Sequence, residues 1–184
     1  MKSEKEKMLS GELYDASDSE LVSEREKARS LTFEFNHTNP AEGEKRQELL
    51  KSLIIARGHF HIEAPFNCDY GYNIEIGENF YANYGCIILD VNKVKIGNNV
   101  LLGPNVQIYT ATHPVDPVER LSGKEYALPI TIGNNVWIGG GSIICPGVSI
   151  GNNVTVGAGS VVTRNISDNV AAAGNPCRII KNLN

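Results

Sequence analysis

Ile96-Gly-Asn-Asn-Val-Leu, Leu102-Gly-Pro-Asn-Val-Gln and Ile108-Tyr-Thr-Ala-Thr-His follow one another without a gap. After an interruption the chain resumes as Ile132-Gly-Asn-Asn-Val-Trp, Ile138-Gly-Gly-Gly-Ser-Ile, Ile144-Cys-Pro-Gly-Val-Ser, Ile150-Gly-Asn-Asn-Val-Thr, Val156-Gly-Ala-Gly-Ser-Val and Val162-Thr-Arg-Asn-Ile-Ser. Each block opens on an aliphatic residue, usually followed by Gly, with a small or β-branched residue four places on. Ile108 and Ile132 lie a whole number of sixes apart, so the interruption preserves the register. A period of six fits neither an amphipathic helix nor an alternating strand. It fits a chain that turns a corner every six residues, three short flat faces closing one coil of a parallel β-helix. The openers stack inward, and the fifth residue of each block tucks into a corner. Gly and Asn sit where the backbone takes positive φ. At a strand spacing of about 4.8 Å, about five coils make a prism roughly 24 Å tall, and its open ends need caps.

Residues 1–58 have a different character. Lys5, Glu6 and Lys7 before Met8 and Leu9 predict a short charged helix ended at Gly11. Asp18 or Ser19 caps a second helix carrying Leu21, Ala28, Leu31 and Phe35, ending between Asn36 and Pro40. A third fits Glu42 to Ala56, with Leu49, Leu50, Leu53 and Ile54 as its apolar face and Gly58 beyond it. This segment reads as a helical cap over the first coil, with the loop Leu13-Tyr14-Asp15 free to reach a ligand. Residues 59–168 hold the β-helix. Its first part, to residue 93, is a looser repeat with openers Ile62, Ile74, Ile76, Ala82 and Ile88 and two-residue slips at Ile74/Ile76 and Val94/Ile96. Residues 113–129 are a polar loop with three prolines, ejected from the prism. Residues 169–184 leave the repeat at Asp168, and Arg178 to Lys181 read as a segment capping the last coil.

At 184 residues, 41% hydrophobic and net charge −4, the chain can bury one core and gives no reason to expect nucleic acid. No apolar run suits a membrane helix and no signal peptide is visible, so a cytoplasmic protein is expected. Cys68, Cys86, Cys145 and Cys177 lack CxxC spacing and read as free thiols in a reducing compartment.

His113 stands at the hinge between a regular block and the ejected loop, with Pro114 fixing the backbone after it. A free imidazole titrates near neutrality and suits a general base; the competing reading is an exposed loop histidine. A three-histidine zinc centre is not expected, because His59 and His61 lie far upstream and His37 falls in the helical part. No Cys or Ser has the neighbourhood of an activated nucleophile.

Several stretches carry a resemblance: Glu4-Lys-Glu-Lys-Met-Leu-Ser-Gly-Glu-Leu-Tyr14, Cys68-Asp-Tyr-Gly-Tyr-Asn73, Asn79-Phe-Tyr-Ala-Asn83, Ile108-Tyr-Thr-Ala-Thr-His113-Pro-Val-Asp-Pro, Ile132-Gly-Asn-Asn-Val-Trp-Ile-Gly139 and Gly174-Asn-Pro-Cys-Arg-Ile-Ile-Lys181. Over nearly its whole length the chain resembles the hexapeptide-repeat sugar O-acetyltransferases, the family of the maltose and galactoside enzymes. The resemblance implies a mainly β fold, a left-handed parallel β-helix with an N-terminal α-helical cap and an ejected loop. It implies acetyl transfer from acetyl-CoA to a hydroxyl of a sugar such as maltose or glucose, without a metal, in a homotrimer whose sites lie between subunits.

The family's catalytic histidine falls on His113 and its active-site asparagine on Asn83. Asp15, Asp69 and Asp90 match acceptor-binding positions, where carboxylates suit sugar hydroxyl donors. The backbone at Gly139-Gly140 matches an oxyanion position. Gly140, Ala158, Thr163, Arg164, Arg178 and Lys181 match the coenzyme A groove, where the cations would meet phosphates. Glu125 is a candidate to orient His113 from within the loop. Galactoside enzymes have Ser where this chain has Asp69 and Gly140, and two adjacent acids at Asp90-Val91, which favours a maltose-type acceptor. The alternatives are an acyltransferase for an antibiotic or amino-sugar nucleotide, and a catalytically silent scaffold. A bare scaffold would need neither the His113 hinge nor the loop.

Overall fold

The computed structural model describes residues 2–183. Three parallel sheets form the faces of a prism. Face one stacks Ile55–Ala56, Ile74–Ile76, Val94–Ile96, Ile130–Ile132 and Ser149–Ile150. Face two stacks Phe60–Ile62, Phe80–Ala82, Leu101–Leu102, Trp137–Ile138, Thr155–Val156 and Val170–Ala173. Face three stacks Asn67–Cys68, Ile87–Leu89, Gln107–Tyr109, Ile143–Ile144 and Val161–Val162. The fold is mainly β, the parallel β-helix that the sixes demand. It has about six coils rather than five. The extra coil arises because Val170–Ala173 still pairs in parallel with face two, so the repeat does not end at Asp168. Only then does Arg178–Asn182 turn back antiparallel on Val170–Ala173.

The register confirms the stacked openers. Ile76, Ile96, Ile132 and Ile150 form one inner column, Ala82, Leu102, Ile138 and Val156 a second, and Cys68, Ile88, Ile108, Ile144 and Val162 a third. All are buried. Each fully buried aliphatic side chain contributes about 1.5–3 kcal/mol, but only through the coils above and below it. Fifth-position residues Val100, Val106, Val136, Ser142, Val148, Val154 and Ser160 are buried as expected. Thr112 is not, because the chain has left the prism by then. Where face one turns into face two, Asn79, Asn99, Asn135, Asn153 and Asn169 all take φ of 55–59°. Their side-chain amides bond from coil to coil, Asn99 to Asn135 and Asn135 to Asn153 at 2.9 Å each. Asn is enriched in this left-handed region, and the ladder satisfies its amides.

The slips have one location. Register partners such as Glu75 and Lys95 lie twenty residues apart, whereas Thr131 and Ser149 lie eighteen apart. The two added residues fall where face three turns into face one: Cys68 to Ile76 and Ile88 to Ile96 are longer than Ile144 to Ile150. The ejected loop leaves at the same corner of the third coil. Ala111–Thr112 pairs antiparallel with Tyr126–Ala127 to close its stem, and Asp116 caps the short helix Pro117–Arg120 at the N–H groups of Val118 and Glu119. One corner of three successive coils is therefore irregular, and the loop, the two wide bends and the N-terminal segment converge on it.

The helices are α1 (Glu4–Ser10), α2 (Ser19–His37) and α3 (Gly43–Leu53). A Ser3/Glu6 capping box starts α1, and Gly11 at φ 76° ends it. Asp18 caps α2. The third helix stops at Leu53 rather than Ala56, because Ile55–Ala56 is already recruited by Glu75–Ile76 as the first strand of face one. Ala28, Phe35, Leu50 and Leu53 join the prism core and close its open end. In contrast, α1 packs on the irregular corner, where Met8, Tyr14 and Leu21 form a second cluster with Tyr70, Val91 and Ala127.

Candidate active site

Asp90 organises the irregular corner. One carboxylate oxygen accepts the N–H of Asp69 at 3.1 Å and of Tyr70 at 2.9 Å; the other accepts the N–H of Asn73 at 3.2 Å. Asn73 returns its amide to the Asp90 carbonyl at 2.8 Å. Between them Gly71 takes φ 78°, and a Cβ there would sit 2.5 Å from the Leu53 carbonyl. Only Gly can make this bend. Asp90 is fully buried, and burial pushes its carboxyl up to about 7 against the pull of the Tyr70 and Asn73 N–H groups. Its oxygens face backbone, not solvent, so Asp90 holds the bend that presents Asp69. Two residues on, in the same bend, Asn92 does the same for the loop. Its amide donates to the carbonyls of Met8, Leu9 and Ala127, and its N–H donates to the Thr110 hydroxyl at 2.9 Å. This ties α1 to the loop stem.

His113 sits on the stem with 57% of its side chain exposed. Its Nε2 lies 3.6 Å from one carboxylate oxygen of Glu125, whose side chain is 19% exposed. The other Glu125 oxygen accepts the Tyr14 hydroxyl. The backbones of Tyr14 and Glu125 also exchange hydrogen bonds of 3.0 and 3.3 Å. Asp15 follows on the exposed edge beside Lys124, its carboxylate accepting the Ser17 N–H and hydroxyl. Asp69 is largely buried; loss of solvent pushes its carboxyl up, the nearby Arg25 opposes this and Glu125 adds to it. Arg25 donates to the Tyr70 hydroxyl and the Ala16 carbonyl, both at 2.6 Å. The fold thus gathers His113, Glu125, Asp69 and Asp15 at one corner, with Asp90 beneath them. Tyr14, Asn92, Thr110 and Arg25 were not singled out by the sequence, although the Leu13-Tyr14-Asp15 loop was.

Asn83 stands elsewhere, where face two turns into face three. Its side-chain oxygen accepts the Tyr84 N–H at 2.8 Å, and its own N–H donates to Leu102 at 3.0 Å. Two coils on, the same corner carries Gly139 and Gly140, and the next coil carries Ala158. A Cβ on Gly139 would lie 2.5 Å from the Ala158 nitrogen, so the coils meet backbone to backbone. The N–H groups of Gly140 and Ala158 find no acceptor among the described residues. At the last coils, Arg164 and Arg178 line one cleft of about 320 Å³ with Asn165, Ile166, Ala172 and Cys177. Thr163 adjoins Arg164, and Lys181 lies exposed on the returning strand opposite Ala171. Asn83 and His113 are not brought together within one chain.

The remaining histidines take structural partners. His59 faces Glu78 at 3.0 Å and His61 faces Glu63 at 3.1 Å, while His37 bonds the Phe33 carbonyl. The four cysteines are free, and burial pushes all four thiols up. No group of three or more potential metal ligands occurs among the described residues. None of the described helices is long and apolar enough to cross a membrane.

Two family models match this chain: a maltose acetyltransferase hexapeptide capping motif over residues 7–58 and the bacterial transferase hexapeptide, six repeats, over residues 129–164. The galactoside O-acetyltransferase of Escherichia coli K12 is 46% identical over 97% of this chain and 89% of its own length. A maltose O-acetyltransferase from Clostridium difficile 630 has a crystal structure that covers 100% of this chain and 98% of its own, at 57% identity and TM-score 0.98. A galactoside acetyltransferase solved in complex with coenzyme A matches at 44% identity and TM-score 0.97, covering 100% of this chain and 92% of its own. With a relative this similar spanning its whole length and both family models in place, the chain belongs to the hexapeptide-repeat sugar O-acetyltransferases and is an acetyltransferase.

Proposed function

We propose that this protein transfers acetyl from acetyl-CoA to a hydroxyl of a small sugar such as maltose or glucose, with His113 as the general base. The observation that carries the proposal is the Glu125 carboxylate, 3.6 Å from Nε2 of the hinge histidine. At 3.6 Å the two groups approach without a hydrogen bond; a small closing movement would put Nε2–H on that carboxylate and leave the lone pair on Nδ1, free for the acceptor. Nδ1 takes the proton of the sugar hydroxyl as its oxygen forms a bond to the thioester carbon. The resulting oxyanion needs N–H donors, and the unpaired Gly140 amide supplies one. Collapse breaks the C–S bond, and the imidazolium returns the proton to the coenzyme A thiolate. Asp69 and Asp15 offer acceptors to sugar hydroxyls, and Asp90 supports Asp69 from below. Arg164, Arg178, Lys181 and Thr163 suit the phosphates and Ala158 the chain of coenzyme A, a ligand present in the galactoside acetyltransferase structure. Asn83 completes the site from a neighbouring copy in a homotrimer. A cytoplasmic setting suits the free thiols and the supply of acetyl-CoA.

The test is a panel of acceptors. Purified protein with acetyl-CoA should release thiol with maltose or glucose faster than with a galactoside, and NMR of the product should show an O-acetyl ester. Turnover confined to an amino-sugar nucleotide or an antibiotic would overturn the sugar assignment. Absence of acetyl-CoA binding by calorimetry would overturn the enzymatic one.

A further inference from the structure

Tyr14 is separated from Glu125 by more than a hundred residues, yet the two are joined three times. Their backbones exchange two hydrogen bonds, and the Tyr14 hydroxyl donates to one Glu125 carboxylate oxygen. Tyr14 has no exposed surface and packs with Met8, Leu21, Tyr70, Val91 and Ala127. Its ring cannot swing away without opening that cluster. The other oxygen of the same carboxylate is the one that faces Nε2 of His113. A carboxylate is a rigid planar group, so fixing one oxygen fixes the direction of the other. His113 and Glu125 stand on a loop stem of only two residue pairs, which by itself would leave both side chains free to rotate.

We infer that Tyr14 is a positioning residue for acetyl transfer: its hydroxyl fixes the Glu125 carboxylate, and Glu125 in turn fixes the His113 ring. The inference rests on His113 acting as the base. It gives the N-terminal segment a part in the chemistry beyond capping. Helix α1 and the strand-like bridge at Tyr14 anchor the loop that carries the base, with Asn92 as the second anchor. Tyr14 stays a donor throughout the neutral range, because burial and the adjacent Glu125 push its phenol up. The charged and titratable groups that share the cluster are Arg25 and Tyr70 beside Tyr14, Asp69 beside Glu125, and Lys124 beside Asp15.

Tyr14→Phe deletes one hydroxyl and keeps the ring. It should lower kcat about 10-fold, a fraction of the 10²–10⁴ that a general base supplies, while leaving the KM for acetyl-CoA and the melting temperature near wild type. A carboxylate that has lost its donor attracts imidazolium more strongly, so the acid limb of the kcat/KM profile should move to higher pH. Glu125→Gln, which keeps an acceptor for Tyr14 and removes the charge, should abolish that displacement. The double variant Tyr14→Phe/Glu125→Gln should be no slower than Glu125→Gln alone, because coupled residues do not act additively. Wild-type kcat and an unmoved profile in Tyr14→Phe, or additive losses in the double variant, would overturn the inference. Near-wild-type turnover by His113→Ala would instead overturn the assignment of the base on which it rests.

Discussion

Asn83 and His113 stand on different corners of one prism. Asn83 follows Phe80–Ala82, where face two turns into face three, and His113 follows Ala111–Thr112, where face three turns into face one. If the two act on one substrate, as proposed, they come from two copies of the chain. Mixing inactive Asn83→Ala with inactive His113→Ala, after dissociation and reassembly, should therefore restore activity. Random mixing of subunits in a ring rebuilds about a quarter of the intact pairs, since each site draws one residue from each neighbour. The rate of acetyl transfer before and after mixing is the measurement; no recovery would mean that each subunit works alone.

Arg164 and Arg178 share the cleft at the last coils, although fourteen residues separate them. If the cleft holds coenzyme A phosphates, Arg164→Ala and Arg178→Ala should each raise the KM for acetyl-CoA about 10-fold, the scale of one charge-assisted hydrogen bond. The KM for sugar should stay within about twofold, and the effect should shrink at high salt. Equal changes in both KM values would point to a distorted fold instead.

Asp90 carries a sign that can be checked. Its folded carboxyl is raised from 3.8 to about 7 by burial. Between those values the folded chain holds a proton that the unfolded chain has released, so the Asp90 contribution to stability falls as pH rises from about 4 to about 7. The stability advantage of wild type over Asp90→Asn, read from denaturant unfolding, should therefore be largest near pH 4 and shrink toward pH 7. An advantage that grows across this window would mean that the three backbone N–H groups outweigh burial and hold the side chain as an anion.

The prism was legible because its rule is local. An opener every six residues fixes three inner columns, and Asn and Gly at the turns satisfy positive φ wherever they fall. The whole number of sixes between Ile108 and Ile132 marks the loop as extra to the coil. What was not legible depends on partners far away in the chain. The third helix ends at Leu53 because Glu75 and Ile76 offer a strand to Ile55 and Ala56, a contact that helical periodicity cannot register. Val170–Ala173 extends face two although its residues break the pattern of sixes. At the site, His113 was visible as a hinge and Glu125 as an acid in its loop, but their distance was not. Asp90 looked like a ligand for substrate; burial shows it serving the backbone of Asp69 to Asn73. Tyr14 and Asn92 gained meaning only when α1 was found on the irregular corner rather than over the first coil.

The most direct test of the whole account is a single-turnover measurement of acetyl transfer from acetyl-CoA to maltose or glucose by wild type and by His113→Ala. Loss of the base should slow transfer about 10²–10⁴-fold, with acetyl-CoA binding and the melting temperature near wild type, because more than half of the imidazole is exposed. Transfer by His113→Ala at near the wild-type rate would contradict the account.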